Sequence, residues 1–101
     1  MWLFCFFDLP VKTKLQRKMA TSFRNHLIND GFIMIQFSVY ARVCKGEDGN
    51  QKHVDRIRKF LPSEGSIRCL SITDRQYGRM KILLGLAKKN EKKRGNQLIL
   101  L

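Results

Sequence analysis

At 101 residues and 44% hydrophobic, the chain has room for one small domain with a modest core, which self-association would reinforce. Twenty Lys and Arg against eight Asp and Glu leave a formal net charge of +12, which argues for a polyanionic partner rather than a small-molecule ligand. No run approaches the roughly 20 apolar residues that span a bilayer, and the N-terminal apolar run lacks a basic leader, so the reading is a cytoplasmic protein with no membrane partner.

The first predicted element is a buried strand, Trp2, Leu3, Phe4, Cys5, Phe6 and Phe7, stopped by Asp8-Leu9-Pro10. After it, Leu15, Met19, Phe23 and Leu27 recur every four residues and predict a helix with that stripe as its core face. Thr13 or a neighbour caps its start, and Asn29-Asp30-Gly31 ends it, with Gly31 suited to a left-handed position. Lys14, Arg17, Lys18 and Arg24 stand off the stripe as a basic ridge, open to solvent or to phosphates.

Residues 32–44 are rich in β-branched, aromatic and other apolar side chains, and too long for one strand. They predict two strands with a bend or bulge at 38–41. Residues 45–50 read as a loop, and 51–61 as a second helix with Val54, Ile57, Phe60 and Leu61 inward and Lys52, Arg56 and Lys59 outward. After the break at 62–65, residues 66–73 predict a fourth strand, 74–78 a turn or short helical bend, and 80–86 another short strand. Lys88, Lys89, Lys92, Lys93 and Arg94 form a basic loop, and 97–101 a terminal apolar strand that needs a sheet edge. The domain is read as single over 1–101, with 79–101 at a dimer interface.

The order is β-α-β-β-α-β plus C-terminal strand material, an α+β ferredoxin-like arrangement with two helices on one face of an antiparallel sheet. There is no Gly-rich phosphate loop, no dinucleotide-binding fingerprint and no aromatic motif of the RNA-recognition type. Cys5, Cys44 and Cys69 lack zinc-ligand spacing and read as buried free thiols in a reducing compartment. His26 and His53 fall on predicted helices as solvent-facing or boundary residues. Tyr40 and Tyr77 read as interface filling or, second, as base-stacking groups. Asp8 has two readings: a strand-end carboxylate accepting backbone N–H bonds in the following turn, or a ligand for a metal ion.

Three pieces together resemble one family: Phe6-Phe7-Asp8-Leu9-Pro10; Asp30-Gly31-Phe32 leading to Gln36-Phe37-Ser38-Val39-Tyr40; and Ile72-Thr73-Asp74-Arg75-Gln76-Tyr77-Gly78. The chain is similar over nearly its whole length to the small adaptation subunit of CRISPR systems, the partner of the spacer integrase, in the version that accompanies type II systems. The resemblance implies a homodimer that sits between two integrase dimers and holds the protospacer duplex. It also implies a metal-dependent phosphodiesterase activity on RNA or DNA. The family's metal-binding aspartate maps onto Asp8, its second-strand Ser onto Ser38 with no chemical role carried over, and its partner-packing terminal strand onto 97–101.

A lone carboxylate is a poor Mg²⁺ site, so the metal reading expects one Asp8 from each subunit at a twofold axis. Two functions follow. One is a DNA-holding scaffold whose phosphate contacts are Lys14, Arg17, Lys18, Arg24, Lys52, Arg56, Lys59, Lys88, Lys89, Lys92, Lys93 and Arg94. The other is a stand-alone Mg²⁺-dependent endonuclease with Asp8 as both catalytic residue and metal ligand.

Overall fold

The apolar run at the N-terminus becomes β1 (Trp2–Asp8), an inner strand buried along most of its length. The structure is a computed structural model that describes residues 1–85. The elements α1 (Lys14–Asn29), β2 (Ile33–Gln36), β3 (Val39–Val43), α2 (Gly46–Arg58), β4 (Ser66–Ile72) and α3 (Asp74–Gly78) follow β1 in the chain. The four strands form an antiparallel sheet ordered β2-β3-β1-β4, so the α+β, ferredoxin-like reading holds. No described helix is long and apolar enough to cross a membrane.

Alternation along β1 serves two cores. Leu3, Cys5 and Phe7 face the helices and pack with Phe23 and Leu27 of α1, Tyr40 of β3 and Ile57 of α2. Trp2 and Phe4 face the other way and pack with Ala41 and Tyr77. Both tyrosines are therefore buried in the chain's own cores, at 4% and 5% exposure, rather than held for an interface or a base.

The predicted cap at Thr13 is present as a full capping box with Gln16, and α1 ends at Asp30 before the left-handed Gly31. The predicted core stripe is corrected at its start, because Leu15 is 66% exposed and the buried positions are Ala20, Phe23 and Leu27. A strict four-residue step overruns the helical repeat by about 40°, so twelve residues carry Leu15 about a third of a turn off the face that meets the sheet.

The second helix begins earlier than its composition suggests, for residues 46–50 form its first turns and not a loop. Glu47 and Asp48 complement the helix dipole there, and buried Asn50 donates from Nδ2 to the Trp2 carbonyl at 3.4 Å, an anchor from a distant strand. The bend between the middle strands falls at Phe37 and Ser38, just before β3. The predicted strand at 80–86 is not formed over its described part, 80–85, where Leu83 and Leu84 are more than nine-tenths exposed and no sheet edge takes them up. The predicted basic loop at 88–94 and terminal strand at 97–101 lie outside the described residues.

Candidate nucleic-acid interface and the Asp8 depression

The basic ridge and the carboxylate occupy opposite faces of the sheet. Lys14, Arg17, Lys18 and Arg24 are all exposed on α1, Lys52 and Arg56 on α2, and Lys59 at its C-terminal cap, in the layer of these two helices. Asp8 is exposed on the side of Trp2, Phe4 and Phe6, away from α1 and α2. Lys88, Lys89, Lys92, Lys93 and Arg94 lie outside the described residues.

The cations of the helical layer are not equivalent. Arg17 is turned back on its own chain, donating from NH1 to the carbonyls of Val11 and Lys12 at 3.1 Å each, so it braces the turn between β1 and α1. Arg56 pairs with Asp30 at 2.7 Å, and Arg24 donates to the Thr21 hydroxyl at 3.3 Å. Among the described residues, Lys14, Lys18, Lys52 and Lys59 take part in no ion pair. The α2 lysines share their groove with Asp48 and Asp55, which lowers the local positive potential. All sixteen residues of α1 are free of Asp and Glu, and its outer groove joins Lys18 to Thr21, Ser22, Asn25, His26 and Asn29. Its first turn carries Lys14 and Arg17 where the helix dipole favours an acid by about 0.3–1 kcal/mol, an arrangement that suits a bound anion.

On the other face, a shallow depression of about 300 Å³ is lined by Phe6, Phe7, Asp8, Ser38, Val39, Ser66 and Arg68. Thus Asp8 and Ser38, thirty residues apart, do come together. The Ser38 carbonyl accepts from the Phe7 N–H at 3.0 Å, and Ser38 is held at φ +63°, a left-handed backbone costly for a residue with a Cβ. Gly65, at φ +106°, lies close against the end of β1: a Cβ there would stand 2.7 Å from the Asp8 carbonyl oxygen. Arg68 and Ser66 enter through the pairing of β1 with β4, which sets Phe6 opposite Arg68 and Asp8 opposite Ser66. Sequence reasoning missed both, since only strand register places them. Phe37, in the turn just before Ser38, is 90% exposed.

The donor set tests the metal reading. Among the described residues no three His, Cys, Asp or Glu side chains gather to hold an ion. One chain offers Asp8, two serine hydroxyls and a nearby guanidinium cation. Mg²⁺ wants octahedral oxygen ligands, and this set does not make such a site by itself.

The other recognisable pieces have structural work. Asp30 accepts from Arg56 and pairs through its second oxygen with Nδ1 of His53 at 2.7 Å, clasping the end of α1 to α2. His53 is therefore a buried partner, 8% exposed, and not a solvent-facing residue. His26 is exposed and stacks on Phe60 at 4.3 Å. The Arg42 guanidinium fills the space a Cβ would need at Gly31. Thr73 and Gln76 form a second capping box, and it presents Tyr77 to Trp2 as a parallel stack 3.9 Å apart.

The chain is similar in sequence to proteins of one family. The family model described as CRISPR associated protein Cas2 matches residues 1–80. The CRISPR-associated endoribonuclease Cas2 of Acidovorax ebreus (strain TPSY) is 52% identical over 93 residues, covering 92% of this chain and 91% of the relative. The protein of the same name from Ligilactobacillus salivarius is 45% identical over 101 residues and the full length of both chains. That from Flavobacterium psychrophilum is 45% identical over 85 residues, 84% of this chain and 74% of the relative.

Proposed function

The chain belongs to the Cas2 family of CRISPR-associated proteins, and we propose that it works in spacer acquisition as a homodimer that bridges integrase dimers and holds the protospacer duplex. The observation that carries this reading is the acid-free outer face of α1, with Lys14 and Lys18 unpaired among the described residues and cationic residues at the helix start. Contacts of this kind go to phosphates and read no sequence. The open sheet face supports pairing of two copies. Phe6, Val39 and Ile72 are only partly buried there, and Leu70 is 54% exposed, so a second copy laid on this face would cover apolar surface and bring two Asp8 residues near one another.

A second reading, a Mg²⁺-dependent endonuclease acting on RNA or DNA, is supported by the depression that unites Asp8, Ser38 and Arg68 and by the word endoribonuclease in the relatives' names. It requires the Asp8 of a second copy, since one chain supplies a single carboxylate.

The two readings separate by experiment. In the first, duplex DNA binds with an affinity that falls steeply as salt rises, and Asp8→Ala binds as tightly as the natural chain because Asp8 lies across the sheet from α1. A salt-independent affinity, or loss of binding in Asp8→Ala with the fold intact, contradicts it. The second expects RNA or DNA cleavage that requires Mg²⁺ and disappears in Asp8→Asn. Cleavage that survives this substitution unchanged removes Asp8 from the active site.

A further inference from the structure

Two of the three cysteines face one another across the sheet. In the pairing of β1 with β4, Cys5 stands directly opposite Cys69, on the side that meets the helices. Directly opposed residues of antiparallel strands have Cα atoms about 4.5–5.5 Å apart, inside the roughly 4.4–6.8 Å span a disulfide accepts. Both are free thiols. Cys5 is fully buried, whereas Cys69 is exposed, which corrects the expectation of three buried cysteines: β4 is the sheet's edge, and its residues are covered from one side at most. Cys44 is buried and opposes no cysteine in the strand pairing.

We propose that Cys5 and Cys69 form an oxidation site at which a hydroperoxide oxidises the exposed Cys69 and the buried Cys5 then closes a cross-strand disulfide. The Cys69 sulfur attacks the peroxide O–O bond, takes one oxygen as a sulfenic acid and releases water or an alcohol. The Cys5 sulfur then attacks the Cys69 sulfur, the S–O bond breaks, and the departing hydroxide leaves as water with the Cys5 proton. Two thiols lose two electrons and the peroxide gains them. The roles are unequal for a physical reason. Interaction with the Cys5 thiol, foremost, and then the Arg58 guanidinium hold the Cys69 thiol below its ordinary value against the opposing effect of burial. The Cys5 thiol is pushed up, by its hydrogen bond with the Cys69 thiol and then by burial. Cys69 is thus the attacking group and Cys5 the resolving one. The bridge would fasten the edge strand that carries Arg68 to the strand that carries Asp8.

The test uses the whole chain and hydrogen peroxide as the oxidant. Peroxide at a few equivalents, followed by alkylation in denaturant and mass spectrometry, is expected to yield a monomer lighter by two hydrogens. It should contain a Cys5–Cys69 linked peptide and a still-alkylated Cys44. The melting temperature should rise by about 5 °C or more and return to its starting value with dithiothreitol, because the bridge closes a long loop. Cys69→Ser, at an exposed position, should leave Cys5 fully alkylated at the same dose. Cys5→Ala should leave a sulfenic acid at Cys69 that dimedone traps. The proposal is overturned if Cys5 stays alkylated in the oxidised natural chain. It is equally overturned if a bridge between two Cys69 residues of separate chains accounts for all the oxidation.

Discussion

Lys14→Glu with Lys18→Glu is expected to weaken duplex DNA binding by roughly tenfold or more while leaving the fold intact. Each lysine is exposed and, among the described residues, in no ion pair, so neither supports the core. A lost phosphate contact of about 1.4 kcal/mol is a factor of ten in affinity, and reversal of charge adds repulsion. The salt dependence should also become shallower, by about one in log–log slope for each contact removed. The same change at Lys52 and Lys59 should cost less, because Asp48 and Asp55 already dilute that groove. Arg17→Ala should act differently, by loosening the turn it braces at Val11 and Lys12. Fluorescence anisotropy across a salt series checks all three. Equal losses from the α1 and α2 pairs would show that the acid-free face of α1 has no special part.

The largest effect on stability is expected from Trp2→Ala. Trp2 is fully buried in the second core, stacked on Tyr77 with ring planes 6° apart and in the same cluster as Phe4 and Ala41. Truncating a buried aromatic to Ala costs about 3–5 kcal/mol, a large share of the roughly 5–15 kcal/mol that holds a small domain together. The melting temperature should fall by about 12 °C or more. Trp2→Phe, which keeps an aromatic ring against Tyr77, should recover much of the loss. Thermal unfolding followed by circular dichroism measures this. A fall of less than about 4 °C in the Ala variant would mean that the Trp2–Tyr77 stack does little to hold α3 to the sheet.

Much of the fold could be read from local pattern. The apolar run ending at Asp8-Leu9-Pro10, the cap at Thr13 and the stop at Asp30-Gly31 are short-range signals, and all three mark element boundaries in the structure. What escaped was decided at long range. Two glycines, an Asp and an Asn at 46–50 have low helix preference, yet that segment is helical, and its Asn50 reaches the Trp2 carbonyl of a distant strand. Cys69 has the composition of a buried strand residue, and its exposure follows from strand order. Arg68 joins Asp8 through register, a property that no motif in β4 announces. Charge told where cations stand but not what they hold. Arg17 and Arg56 look like Lys14 and Lys18 in the sequence, and only the fold shows them turned inward to carbonyls and to Asp30.

Spacer acquisition, measured in cells that carry this chain with its integrase, compares the two faces of the sheet directly. With variant proteins present at equal levels, Asp8→Ala should acquire spacers as the natural chain does, while Lys14→Glu with Lys18→Glu should acquire few or none. Acquisition lost in Asp8→Ala and retained in the lysine variant would place the essential chemistry at the carboxylate and contradict a role built on holding phosphates.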